Sequence, residues 1–181
     1  RLLLLGEPGA GKTITLMAHA RDAVAARLED AAQPLPVLKI VATWPSNPPA
    51  PIADWAAGKM DILKPVIDTG KALLLLDGMD ELGDRREAKI KKIDPRTGEV
   101  EKDESGNIIY ETIIYDPRTR FIDAVAKIDA DNQILVTCRV QDYAAVGQQL
   151  PLDGAIKLQR LTDAQLQEYL SDHPEIYAAI R

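Results

Sequence analysis

Glycines, a lysine and a threonine near the start of the chain have the types and spacing needed to hold phosphate groups. The pattern G-x-x-x-x-G-K-[ST] is matched in full by Gly6, Glu7, Pro8, Gly9, Ala10, Gly11, Lys12 and Thr13. Glycines let successive backbone N–H groups turn inward around an anion at the start of a helix. Lys12 would add its charge at the β- and γ-phosphates, and Thr13 would give its hydroxyl to Mg²⁺. The pattern therefore predicts that residues 6–14, from Gly6 to Ile14, hold a nucleotide.

Acidic side chains follow a second apolar segment, Leu73–Leu76. Asp77 comes at the carboxyl end of this predicted strand, where ligands bind in open α/β sheets, and it would hold Mg²⁺ through water. Asp80 and Glu81 follow, and either could orient or deprotonate the water that attacks the γ-phosphate. The alternative is that these acids form only a solvated turn. That alternative is weakest for Asp77, because the phosphate loop lies upstream.

A third contact is predicted at the end of another apolar segment, QILVTCR. Arg139 could reach the γ-phosphate and report its presence, since a guanidinium matches phosphate geometry. An ordinary surface arginine is the alternative. Cys138 is expected to be a packed small residue and not a reactive one. The predicted catalytic residues are thus Lys12, Asp80, Glu81 and Arg139, and the predicted metal ligands are Thr13 and Asp77.

Apolar runs alternate with stretches of helical period, which predicts an α/β fold with a mostly parallel five-stranded sheet. Strands are predicted at Leu2–Leu5, Val37–Thr43, Leu73–Leu76, Gln133–Thr137 and Ala155–Leu158. Helices are predicted at Lys12 to about Ala32, Pro51 to about Thr69, Phe121–Ala130 and Thr162–Leu170, the last capped by Thr162. The first helix should place its larger apolar residues near one face: Ile14, Met17, Val24 and Leu28.

A charged segment at about residues 84–120 interrupts this alternation and predicts an insertion. EVEKDESGNIIYETIIY alternates on either side of a polar turn at Asp103–Asn107, which is typical of a β-hairpin. DPRT occurs at Asp94–Thr97 and again at Asp116–Thr119, and both copies are predicted to be turns that bracket the hairpin. The insertion should lie on the nucleotide side of the sheet. It could contact a partner subunit or gate the site, but a solvated excursion is the favoured interpretation.

Composition limits the possible classes of protein. The chain has 181 residues, 46% hydrophobic and 28% charged, as in one soluble globular domain. Its net charge of −6 does not indicate nucleic acid as a partner. One cysteine and two histidines disfavour a disulfide or a structural zinc site. No apolar run approaches the length needed to span a bilayer. We expect a piece of a longer cytoplasmic protein, without a membrane segment.

With these pieces together, nearly the whole chain resembles the NACHT nucleotide-binding domain of the STAND class of P-loop signalling NTPases. GEPGAGKT resembles its phosphate loop, and LLLLDGMDE its acidic strand, with a small residue after the first aspartate and a later acidic pair. PLPVLKIVATWPSNPPAPIADW resembles the second strand, and LQRLTDAQLQEYL the closing strand and helix. ILVTCRVQDY matches the sensor strand, where the family more often has Thr-Ser-Arg-Pro, so Val140 and the inserted segment are departures.

The resemblance implies a single domain over residues 1–181: a three-layer sandwich with strand order 5-1-4-3-2. It implies Mg²⁺-dependent binding of ATP or ADP, with Lys12 and Thr13 at phosphate and magnesium, and Asp77 at magnesium. Asp80 and Glu81 would be the hydrolytic acidic pair, and Arg139 the sensor. In relatives, ADP keeps the protein closed, and exchange for ATP allows opening and oligomerisation. Expected partners are the protein's own downstream helical, winged-helix and sensor regions and, with ATP bound, further copies. Bacterial relatives act in defence and signalling, and a bacterial source is expected from the insertion and the alanine-rich helix.

Other functions remain open from the sequence. The domain could hold nucleotide structurally with little turnover, or it could transfer a phosphoryl group to a small acceptor, although no arginine-bearing lid is recognisable. GTP is a further possibility, since Asp80–Gly83 fits D-x-x-G. No N-K-x-D follows, however, and adenine is weakly favoured.

Overall fold

Five parallel strands form the central sheet of the computed structural model, which describes residues 1–172 and residue 178. The described residues form seven strands, of which β4 and β5 are a separate antiparallel pair. They are β1 (Leu2–Leu5), β2 (Leu35–Ile40), β3 (Ala72–Asp77), β4 (Arg86–Lys91), β5 (Tyr110–Tyr115), β6 (Gln133–Cys138) and β7 (Gly154–Lys157). The helices are α1 (Lys12–Glu29), α2 (Ile52–Ala57), α3 (Leu63–Asp68), α4 (Pro117–Val125), α5 (Val140–Val146) and α6 (Asp163–Tyr169).

The strands of the central sheet lie in the order β2-β3-β6-β1-β7. These labels differ from the predicted 5-1-4-3-2 because the predicted numbers counted only the strands of this sheet. The chain forms β4 and β5 between the third and fourth of those strands, so the last two become β6 and β7. The phosphate-loop strand β1 thus lies between β6 and β7, and the acidic strand β3 lies between β2 and β6.

Helices cover both faces of the central sheet, and the leucines of β3 contact both sets of helices. On one face, Leu16 of α1 packs with Leu73 and Leu75. On the other, a larger cluster joins Leu74 and Leu76 to side chains of α2, α3 and α4. A strand buried on both faces is expected to be apolar throughout, as β3 is. The carboxyl end of β3 is therefore held in place by the core on both sides.

Several predicted elements have different bounds in the structure. The second strand stops at Ile40, which pairs with Asp77, and residues Val41–Thr43 form a short 3₁₀ helix instead. Since β3 also ends at Asp77, the chain beyond Ile40 has no strand beside it. The helix predicted at 51–69 is two helices, α2 and α3, because the chain turns at Gly58 with a φ of 60°. Helix α5 was not predicted, whereas α6 begins with the expected cap at Thr162.

The apolar residues predicted near one face of α1 do not form the face that packs on the sheet. Ile14 and Leu28 are 70% and 84% exposed, and Met17 and Val24 are also exposed. The residues that face the sheet are Leu16 and the small side chains of two alanines, Ala20 and Ala23. Alanines let the helix approach the sheet closely. The face of α1 that contacts the sheet is therefore formed by small residues and one leucine, and not by the large apolar residues.

The inserted segment forms a hairpin, but its main pairing is not the predicted one. Strand β5 pairs with β4, from Arg86 opposite Tyr115 to Lys91 opposite Tyr110. The segment before the predicted turn makes only two isolated bridges, Ile93 with Val100 and Lys102 with Ile108. The turn itself is present, since the Asp103 carboxylate accepts hydrogen bonds from Ser105 and Asn107 N–H groups. We call the hairpin of residues 86–115 the arm.

The two DPRT copies adopt different structures, so one of the two turn predictions is wrong. The first copy is a turn, in which Asp94 O accepts from Gly98 N. The second copy begins α4: the Asp116 side chain caps the helix by accepting from Arg118 N, and proline follows in the first turn. The residues after each copy explain why one is a turn and the other begins a helix. A glycine follows the first copy, whereas Phe121 and other core residues follow the second.

Asp116 should matter far more to stability than Asp94, although both begin the same four residues. The Arg118 side chain is 5% exposed and donates two hydrogen bonds to the Asp116 carboxylate, at 3.0 and 2.8 Å. We expect Asp116→Ala to lower the free energy of unfolding by about 2–4 kcal/mol, because it removes a helix cap and leaves a buried cation with only Asp84. Asp94→Ala, the matched control, should cost about 0.5 kcal/mol. Urea denaturation measures both.

The pH dependence of this effect has a defined sign. Hydrogen bonds from Arg118 lower the pKa of Asp116. A carboxyl group whose pKa is lower in the folded state stabilises the fold above its unfolded pKa, about 3.9, and loses that contribution as the pH falls through the folded value. The difference between wild type and Asp116→Ala should therefore be full near neutral pH and shrink below about pH 4. Equal losses in the two variants at neutral pH would contradict this account.

Candidate functional site

The predicted site residues lie at the carboxyl edge of the central sheet. The phosphate loop follows β1, Asp77 ends β3, and Arg139 follows β6. These three strands are neighbours in the order β3-β6-β1, so their ends meet at one edge. The start of the loop is tied to β6 directly, because Gly6 N donates to Cys138 O at 3.3 Å.

The phosphate loop closes around the ammonium group of Lys12. Lys12 Nζ donates to Gly6 O at 2.8 Å and to Glu7 O at 3.2 Å. Ala10 N donates to Glu7 O, which completes the turn. Among the salt bridges of the described residues, none involves Lys12. The loop therefore carries a positive charge that is solvated by carbonyl oxygens and not neutralised by a carboxylate.

Glycine is required at two positions of the loop. Gly9 and Gly11 have φ angles of 76° and 89°, which side chains other than glycine rarely adopt. A Cβ atom built at either position would meet no atom within 4 Å. The space beside the backbone is therefore open, and the conformation alone demands glycine. Gly11 directly precedes α1, whose N-terminus has no side-chain cap and no acidic residue in its first turn.

Thr13 and Asp77, the two predicted magnesium ligands, are in direct contact. Thr13 Oγ1 donates to Asp77 Oδ2 at 2.9 Å. Hydroxyl and carboxylate oxygens are the hard donors that Mg²⁺ prefers. In the described part of the chain, no cluster of three or more His, Cys, Asp or Glu side chains could hold a metal. The contact of one hydroxyl with one carboxylate fits an ion that takes one or two protein oxygens and completes its coordination with phosphate and water, as Mg²⁺ does with nucleotides.

Thr137 of β6 also contacts Asp77, and sequence reasoning did not single it out. Its Oγ1 donates to Asp77 Oδ1 at 2.6 Å and accepts from Gly78 N at 2.7 Å. The Thr137 side chain is fully buried. The available signal was a hydroxyl residue inside an otherwise apolar strand, close to where that strand ends beside Asp77.

Asp80 and Arg139, predicted to act on water and on the γ-phosphate, pair with each other. Arg139 Nε lies 2.9 Å from Asp80 Oδ2, and Arg139 N donates to Asp80 Oδ1 at 3.1 Å. The Asp80 side chain is 7% exposed, whereas that of Arg139 is 50% exposed. Both carboxylate oxygens of Asp80 therefore lie beside Arg139, whereas Arg139 uses only its backbone N–H and its Nε in the pair. Glu81 is exposed, and its side chain packs against Gly78.

The outer residues of the predicted nucleotide segment are more open. Pro8 and Gly9 are exposed, while Glu7, Ala10 and Gly11 are half-buried. Gly6 is buried, and a Cβ there would lie 3.2 Å from the Ala10 Cβ atom. Because the Ile14 side chain points largely into solvent, its backbone at the start of α1 is the part that could meet a phosphate. A cavity of about 620 Å³ lies between α2, α3 and α4, and none of the predicted site residues lines it.

Comparison with models of known protein families finds no match, and comparison with curated proteins finds none either. Among the described residues, no helix has the length and apolar composition to cross a membrane.

Cys138 should resist alkylation in the folded protein. Burial, and then the nearby Asp80 carboxylate, raise the pKa of its thiol to about 12. At about pH 8 such a thiol is ionised in about one molecule in ten thousand, and the thiolate is the reactive form. Mass spectrometry after iodoacetamide treatment should show no modification of native protein within minutes and full modification in urea. Rapid labelling of the native protein would contradict the buried position of this side chain.

Proposed function

We propose that this chain is a P-loop NTPase domain that binds ATP or ADP with Mg²⁺ and hydrolyses ATP slowly. One arrangement carries the proposal. The Lys12 ammonium donates to two loop carbonyls and has no carboxylate partner in the described residues, and the next residue, Thr13, contacts Asp77. A cation held without an anion, at the start of a helix, attracts the phosphates of a nucleotide. The five-stranded parallel sheet is compatible with such a fold.

The chain's own residues divide the work. Backbone N–H groups of residues 6–14 and the Lys12 ammonium would hold the phosphates, and Thr13 and Asp77 would hold Mg²⁺. The ion would neutralise phosphate charge when bound. Asp80 is our first choice for orienting the attacking water, with Glu81 as its partner in the acidic pair.

The Arg139–Asp80 pair gives hydrolysis a precondition. Both carboxylate oxygens of Asp80 lie beside Arg139, so the pair would have to open before Asp80 could orient the attacking water. A bound triphosphate would compete for the guanidinium, because phosphate accepts the same forked hydrogen bonds as a carboxylate. Slow turnover follows from this competition.

The wider biological role rests on the resemblance to NACHT domains. By that resemblance, the nucleotide acts as a switch: ADP keeps the protein closed and ATP permits opening and homo-oligomerisation, in signalling and in bacterial defence. The partners would be downstream helical, winged-helix and sensor regions of the same protein, in the cytoplasm. Adenine is preferred over guanine on the absence of an N-K-x-D sequence.

A scaffold that holds nucleotide without turnover is the second candidate. The Asp80–Arg139 pair favours it, since both groups needed for hydrolysis are engaged with each other. If the pair persists when nucleotide is bound, the site would keep ATP intact.

Nucleotide binding is tested by thermal unfolding with Mg–ADP, Mg–ATP and Mg–GTP. A ligand that binds only the folded state adds about 2.7 kcal/mol of stability at a hundredfold excess over Kd, or roughly 5–10 °C for a chain of this size. We expect that rise with adenine nucleotides, and we expect Lys12→Ala to abolish it. Lys71→Ala is the matched control, because this exposed lysine precedes the opposite, amino end of β3.

Nucleotide should be stripped from the protein before the measurement. No rise in the midpoint for stripped wild type would refute the proposal for this chain, and an equal loss in both lysine variants would refute the role of Lys12. A larger rise of the midpoint with GTP than with ATP would show that the site prefers guanine to adenine.

Hydrolysis is tested by phosphate release under single-turnover conditions. Asp80→Asn should lower the rate about a hundredfold or more and leave ADP affinity within a factor of about three, because general-base residues act on the chemical step. Glu81→Gln should have a smaller effect. Wild-type release that equals the rate without protein would favour the scaffold, and a larger loss in Glu81→Gln would reverse the roles of the two acids.

A further inference from the structure

We propose that Thr137 is a positioning residue that fixes the Asp77 carboxylate for magnesium. Its hydroxyl donates a hydrogen bond to Asp77 Oδ1, and the other oxygen, Oδ2, faces Thr13. The inference rests on the proposed nucleotide site and deepens it, because it assigns the orientation of the metal ligand to a residue that touches neither phosphate nor metal.

The direction of the hydrogen bonds follows from the donors available. Gly78 N is a donor only, and it lies 2.7 Å from Thr137 Oγ1, so the threonine oxygen must accept there. The hydroxyl has a single proton, and the Asp77 Oδ1 atom lies 2.6 Å away. The proton of Thr137 therefore points at Asp77, and the carboxylate is the acceptor. An amide, a hydroxyl and a carboxylate thus form one directed chain.

The hydroxyl is held rigidly. Thr137 is fully buried, and its strand, β6, lies between β1 and β3 with parallel pairing on both sides. A β-branched side chain has few accessible χ1 rotamers. A hydrogen bond in such a dry environment is also stronger than one in water. The position of the hydroxyl is consequently set by the sheet and not by the ligand.

The two oxygens of Asp77 have different neighbours as a result. Oδ1 accepts from Thr137, and Oδ2 accepts from Thr13 on α1 at 2.9 Å. The terminal torsion of an aspartate is broad, so the carboxylate could otherwise rotate. With Oδ1 held, Oδ2 remains on the side of the phosphate loop, where an ion bound by Thr13 would need it.

Thr137 could instead serve only to satisfy the buried Gly78 N–H group. The substitution Thr137→Val removes the hydroxyl that both roles need, but the two roles predict different effects on nucleotide affinity. A structural role changes nucleotide affinity equally with and without magnesium. A positioning role changes the part of the affinity that depends on magnesium, and it acts only when Asp77 is present.

The test measures the Kd of a fluorescent ADP analogue in excess Mg²⁺ and in EDTA, and takes the ratio of the two values. Thr137→Val should reduce the magnesium-dependent gain in affinity about tenfold, as loss of a group that orients a metal ligand typically does. Thr137→Ser, which keeps the hydroxyl, should retain the wild-type ratio within a factor of about two. Thr137→Ala removes the hydroxyl without adding a methyl group, and it decides the matter if Thr137→Val does not fold.

The Asp77→Ala background is the control. There Thr137→Val should leave the ratio unchanged, because its effect passes through Asp77. A wild-type ratio in Thr137→Val or Thr137→Ala would overturn the inference and leave nucleotide binding in place. The same would follow if Thr137→Val reduced the ratio as much in the Asp77→Ala background as in wild type. If wild type bound ADP with no dependence on magnesium, the inference would also fall and the phosphate loop would stand. Absence of ADP binding by wild type in both buffers would overturn the proposed function itself.

Discussion

One carboxylate, that of Asp77 on β3, links the helix that follows the phosphate loop to strand β6. It accepts hydrogen bonds from Thr13 on α1 and from Thr137 on β6, and it ends a strand whose leucines are buried on both faces. Because the core fixes β3, it also fixes Asp77, and the loop is placed relative to that fixed point. The contact of Gly6 with Cys138 adds a second link at the same edge. The geometry of the site is thus largely a consequence of how parallel strands are packed.

Local signals in the sequence predicted most of the sheet and the residues that meet at its edge. The apolar strands and the phosphate loop are each specified within a few neighbouring residues, and the structure places Thr13 beside Asp77 as the pattern indicated. The pairing of the arm was not predicted in the same way, because β4 is as charged as the segment around it and its alternation depends on Ala88 and Ile90 alone. Contacts between distant residues were also missed: no local pattern says that Arg139 pairs with Asp80, or that Thr137 contacts Asp77.

Charge at the edge of the sheet is distributed in two ways. Lys12 donates to two carbonyl oxygens, whereas Arg139 lies beside a carboxylate. In the proposed site, the first cation is ready for an anion, and a phosphate near the second would compete with the Asp80 carboxylate for the guanidinium. A diphosphate could therefore occupy the loop without disturbing Arg139, while a third phosphate could compete for it. The two cations together provide a physical basis for a site that distinguishes the two nucleotides.

The arm leaves and re-enters the domain at a single point. Arg86 and Tyr115, its first and last residues, are paired across the hairpin, and Arg118 binds both Asp84 and Asp116 just outside it. Paired residues in antiparallel strands lie only about 5 Å apart, a gap that a short turn can close. The thirty residues of the arm therefore lengthen the chain without separating the elements on either side. Because insertions whose ends lie close together are tolerated, removal of the arm and closure of the gap by a short turn should leave the sheet and its edge unchanged.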